Sequence, residues 1–266
     1  MCISPKRPPI TRGVKAVTAK TDLKSELERL YRKANVPEFI PLDPVQFPRR
    51  YQNAADQEIA AFLAATIAWG RRDLILKSAE RMFSLMGASP YAFVMEGDYR
   101  TLKGGCVHRT FFQDDLRYFC RGFRECYSRY GSLEALFASA ADIWEGIALF
   151  RETAAQANGG VRGRAVYSKH IADPSSGSAC KRLNLALRWL VRREGPVDLG
   201  LWNALSPSSL FIPLDVHVGR AARTLGLLDE GRKANDKKAV VSLTEKLRAF
   251  CPEDPVRYDL ALFVYR

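Results

Sequence analysis

Lys181 and Asp215 are the two residues of this 266-residue chain whose types and setting could carry covalent chemistry. An unprotonated lysine amine attacks an electrophilic carbon and condenses with a carbonyl to a Schiff base. Free lysine is almost wholly protonated at neutral pH, and burial and neighbouring cations disfavour the ammonium form. Arg182 is adjacent to Lys181 and Arg188 shares its helical face, so the sequence supplies such cations. An aspartate beside the amine can take up its proton and stabilise positive charge developing on a substrate. Plainer roles stand next to these. A lysine on a polar helical face is ordinarily solvated, and an aspartate before a helix is a cap worth ~1 kcal/mol.

Two helices must position the pair. SGSACKRLNLALRWLVRREG (176–195) repeats Leu183, Leu187 and Leu190, with Ala179 one turn earlier, at the helical period. At about 100° per residue, Lys181, Arg188 and Arg192 fall on the opposite face and are expected to point outward. FIPLDVHVGRAARTLGLLDE (211–230) places Asp215 at an N-cap after Pro213 and Leu214, and Gly226 at the C-terminal stop. The 34 positions from Lys181 to Asp215 hold one helix, a connection and a return, so both helix starts can face one cleft.

These segments resemble the lysine helix and aspartate turn of the helix-hairpin-helix/Gly-Pro-Asp superfamily of DNA glycosylases. Its P-x-D-x-H-x-x-R pattern is met by Pro213, Asp215, His217 and Arg220. A closer resemblance, from about Leu23 to Phe263, is to an uncharacterised, mostly bacterial family related to that superfamily and to its archaeal 8-oxoguanine glycosylase branch. It is carried by IAAFLAATIAWGRR, CVHRTFFQDDL, DPSSGSACKRLNLALRWLVR and CPEDPVRYDLALF. DPSSGSAC stands where the superfamily has a glycine hairpin, and the lysine-to-aspartate spacing is long; the archaeal branch shares both traits.

The resemblance implies an all-α, helix-hairpin-helix glycosylase-like fold, two helical lobes with a cleft between them. It implies base-excision repair with AP-lyase activity on damaged duplex DNA, removing an oxidised purine such as 8-oxoguanine through a lysine Schiff base. Lys181 and Asp215 would be catalytic. Ser178, Arg182, Arg188, Arg192, His217, Arg220, Trp69 and Arg71 would contact nucleic acid, with no metal and no cofactor. Trp69 would stack with a displaced base, or else be a core tryptophan beside a solvated arginine pair. The alternative function is a non-catalytic helical DNA- or RNA-binding protein that keeps the fold.

Charge favours a polyanion partner. The chain carries +12, and residues 151–193 hold nine Lys/Arg against Glu152 and Asp173, a net +7. The six cysteines form no C-x-x-C pair or metal-site spacing, and no apolar run approaches the ~20 residues of a membrane span. The expectation is a monomer in a reducing, intracellular setting: cytoplasm if prokaryotic, nucleus or a DNA-containing organelle if eukaryotic.

Residues 1–21 are basic and Pro-rich and read as a disordered tail, with the helical domain over 22–266. Asp22 is expected to cap a first helix carrying Leu23, Leu27 and Leu30. PEFIPLDPVQFPRR is an irregular connection. A nearly all-apolar core helix runs from about Asp56 to Ser84, with a break at Gly70. Asp114 or Asp115 opens a helix ended by Gly131, and Ser132 caps another running to Ile147. ANGGVRGRA (157–165) is a basic loop, Val240 to Phe250 a further helix, and Asp254-Pro255 the start of the last. No strands are expected. Leu262 to Tyr265 are apolar with no C-cap, so the C-terminus is expected to be truncated.

Overall fold

The structure, a computed structural model, describes residues 20–159, 164–231 and 234–265. The expected tail therefore lies outside the described residues except for Lys20 and Thr21, as do the middle of the 157–165 loop and the last residue. Helix α1 (Lys20–Ala34) starts two residues before Asp22 and buries Leu27 and Leu30. The Pro-rich connection forms three short 3-10 turns, Pro37–Leu42, Pro44–Gln46 and Pro48–Arg50. Each opens on a proline, whose fixed φ suits a first turn and whose missing N–H costs nothing there.

Asn53 caps α2 (Ala54–Thr66), accepting the Ala55 N–H at 2.8 Å. Every residue of α2 from Glu58 to Thr66 is buried, as an all-round apolar helix requires. The chain then breaks, turns through Gly70 at φ +97°, and resumes as α3 (Arg72–Met86). Helix α4 (Pro90–Glu96) leads to a small hairpin, β1 (Cys106–His108) against β2 (Phe111–Phe112). This is the one strand pair among the described residues, and alternation over so few positions leaves no pattern to read. Helix α5 (Gln113–Tyr130) ends at Gly131 as expected. The single helix expected from Ser132 to Ile147 is two: α6 (Leu133–Ala138), capped by Ser132, and α7 (Ile143–Ala157), capped by Asp142.

Helix α8 (Lys181–Val191) packs on α2, and α9 (Val216–Thr224) follows. Asp236 caps α10 (Lys237–Arg248). Asp254 does not cap the last helix: a 3-10 turn, Pro255–Arg257, intervenes before α11 (Tyr258–Val264). Helix α11 packs on both α1 and α9, and one contiguous apolar core runs from Leu27 to Leu262.

Glu58 ties this core together. Its buried carboxylate accepts from Tyr127 Oη (2.6 Å), Trp202 Nε1 (2.7 Å) and the backbone N–H groups of Leu133 and Glu134 (3.2 Å each). Burial pushes its pKa up, against the pull of these donors. Glu58→Gln turns one acceptor oxygen into an NH2 facing N–H or O–H groups. It is expected to lower unfolding free energy by about 2 kcal/mol, measured by urea denaturation. A variant within ~0.5 kcal/mol of the parent would show that the cluster adds nothing.

Candidate active site

Helix α8 starts abruptly. Gly177 (φ +80°) turns the chain, Ser178 Oγ accepts the Cys180 N–H at 3.2 Å, and Cys180 adopts φ +46°. A non-glycine residue in that left-handed region is costly and persists only where its surroundings enforce it. The result puts Lys181 at the first helical position, with its side chain aimed at the α2–α3 break, where Nζ donates to the Ala68 carbonyl at 3.3 Å.

Asp215 caps α9 with one oxygen: Oδ1 accepts the N–H groups of both His217 and Val218 at 2.8 Å. Its other oxygen, Oδ2, lies 3.6 Å from Lys181 Nζ. Cap and ion-pair partner are thus divided between the two oxygens of one carboxylate. Asn235 steadies the turn by donating to the Asp215 carbonyl at 3.0 Å. The Lys181 and Asp215 side chains are 28% and 23% exposed, so the pair is held yet open to a substrate.

Trp69 follows Ala68, whose carbonyl Lys181 meets, on the α2–α3 break. His108 meets its ring edge-on at 4.7 Å and His170 stacks on it at 5.8 Å. Burial lowers the pKa of both histidines, which favours neutral rings. Arg182 lies over the same indole at 5.1 Å and donates to the Thr66 carbonyl at 2.9 Å, satisfying the end of α2. Arg71 is exposed and paired with Asp73 at 2.7 Å. His217 and Arg220 are exposed on α9, and Ser178 is half-buried in a bridge to Asp236.

Arg188 and Arg192 do not point outward as expected. Both are buried, at 3% and 0% exposure, within a cluster of three aspartates. Arg188 pairs with Asp198 (3.1 Å) and Asp259, and Arg192 with Asp198 and Asp254 (2.8 Å). They cannot touch a nucleic acid, and two of the nine cations of 151–193 are neutralised internally. The periodicity correctly set them opposite the leucines; what it could not show is that distant segments would cover that face.

Asp259 is the residue that sequence reasoning missed. Burial pushes its carboxyl up to about 6, opposed by Arg188 and reinforced by the negative charge of Asp215, while Lys181 pulls it down. Its Oδ1 is buried with no hydrogen-bond partner among the described residues. The signal available was the i, i+4 pair Arg188/Arg192, set against the otherwise apolar residues 185–191, which calls for carboxylates elsewhere in the chain.

Among families of known proteins, the one described as "Protein of unknown function (DUF2400)" matches residues 43–265. No curated protein and no solved structure matches the chain. No helix among the described residues is long and apolar enough to cross a membrane.

Proposed function

The chain belongs to the DUF2400 family, and from that premise we propose that it is a DNA base-excision glycosylase with AP-lyase activity, acting on an oxidised purine such as 8-oxoguanine. The observation that carries this reading is the approach of Lys181 Nζ to Asp215 Oδ2 at the starts of two helices, in a partly open setting. The resemblance to the glycosylase superfamily supplies the chemistry, together with its two-lobed fold and cleft; a fold by itself would not.

In this mechanism the target nucleotide leaves the base stack. Lys181 Nζ bonds to the sugar's anomeric carbon as the glycosidic bond breaks, and the base departs with the bonding electrons and takes up a proton. Asp215 Oδ2 receives the proton that the amine gives up and offsets the positive charge building on the sugar. Ring opening leaves an imine on Lys181, from which β-elimination cleaves the strand. Asp215 Oδ1 stays bound to the α9 amides throughout, so the carboxylate does not need to be repositioned.

The test is borohydride trapping of the wild-type chain on duplexes carrying oxidised, alkylated or abasic sites. A stable protein–DNA adduct with an oxidised purine is expected. A chain that binds these duplexes and yields no adduct with any of them is the non-catalytic binding protein instead.

A further inference from the structure

The segment CVHRTFF builds a hairpin that the mechanism above does not use. Its base is pinned from three sides. His108 bonds the Trp69 carbonyl through Nε2 (2.9 Å) and Ser78 Oγ through Nδ1 (3.0 Å). His170 Nε2 donates to the Thr110 carbonyl at 3.1 Å, and Phe111 is fully buried. The tip, Arg109, is exposed and holds φ +52°.

Among the described residues, only Arg109 and Cys180 are non-glycine residues with positive φ. Both border the α2–α3 break: Cys180 precedes Lys181, which bonds Ala68, and Arg109 lies on Gly70. The second contact is so close that a Cβ on Gly70 would stand 2.5 Å from Arg109 Nη1. Strained conformations of this kind gather at functional sites, where packing over-determines them. No carboxylate among the described residues pairs with the Arg109 guanidinium. An exposed, unpaired guanidinium on a pinned hairpin presents a planar fork of donors, the geometry that matches a phosphate.

We infer that Arg109 binds a backbone phosphate of the substrate strand and so registers the DNA against the Lys181 site. This rests on the DNA reading above. The hairpin supplies rigidity, Gly70 supplies clearance, and the break they share carries the strand contact to within two residues of Ala68.

The experiment is an anisotropy titration of a duplex containing a tetrahydrofuran abasic analogue, between ~50 and 200 mM salt. Wild type, Arg109→Asn and Arg109→Lys are compared. Asparagine accepts the left-handed backbone and removes the cation, so the fold should persist, with an unchanged melting temperature as the check. Arg109→Asn is expected to bind about tenfold more weakly and to flatten the slope of log affinity against log salt by about one unit, while Arg109→Lys recovers the slope. An Asn variant with the wild-type slope and affinity overturns the inference alone. So does one that loses melting temperature while keeping the slope, since that marks a purely structural arginine. A wild-type chain that does not bind the duplex overturns the inference and the glycosylase reading together.

Discussion

Replacing Arg192 by alanine is expected to lower the stability of the fold by about 3–5 kcal/mol while leaving no specific mark on DNA binding by the molecules that remain folded. The guanidinium is fully buried, donating to Asp198, to both oxygens of Asp254 (2.8 and 3.0 Å) and stacking near Tyr31, whose hydroxyl it also meets at 3.1 Å. Truncation removes the cation and strands carboxylates in the interior, where an unpaired charge is most costly. Burial already pushes the Asp254 pKa up, with Arg192 opposing it, so Arg192→Ala should drive Asp254 towards its protonated form. Urea denaturation measures the loss. A phosphate contact on the surface would behave in the opposite way, changing stability by less than ~0.5 kcal/mol and weakening DNA binding in a salt-dependent manner. That second pattern would return Arg192 to the outside of the molecule and refute the buried cluster.

Asp215→Asn separates the two tasks of one side chain. Asparagine keeps an oxygen that can accept from the His217 and Val218 amides, so helix α9 should keep its cap and stability should change by well under ~2 kcal/mol. The charge facing Lys181 is lost, and an NH2 group replaces the proton-accepting oxygen. Base excision should then fall by about two to four orders of magnitude, measured in single turnover on the best substrate duplex. Were Asp215 only a cap, asparagine would be nearly neutral in every assay.

Asp215 was legible because a helix start announces itself locally, here through Pro213 and Asp215 before α9. The start of α8 was less so, since the apolar repeat counted Ala179 into a helix that begins only at Lys181, after the left-handed Cys180. The break at Gly70 and the stop at Gly131 were, like Asp215, legible from local sequence. What periodicity could not reveal was the identity of partners distant in sequence. Arg188 and Arg192 look solvated on a helical wheel, yet Asp198, Asp254 and Asp259 close over them from 6 to 71 residues away. Asp254-Pro255 was legible as the start of the last helical segment, but not that the segment opens as a 3-10 turn or that the Asp254 carboxylate is taken up by Arg192. The hairpin at 106–112 is too short to alternate, and the strain at Arg109 and Cys180 has no local signature, because the packing that enforces it comes from other segments.

The most direct test of the central claim is borohydride trapping by Lys181→Gln beside the wild type on the same duplexes. Glutamine keeps a polar side chain of similar reach and removes the amine. The account predicts a wild-type adduct whose modified peptide maps to Lys181, and in Lys181→Gln neither adduct nor strand cleavage, with salt-sensitive DNA binding retained. An adduct of wild-type yield that survives in Lys181→Gln would contradict it, placing the nucleophile on another amine.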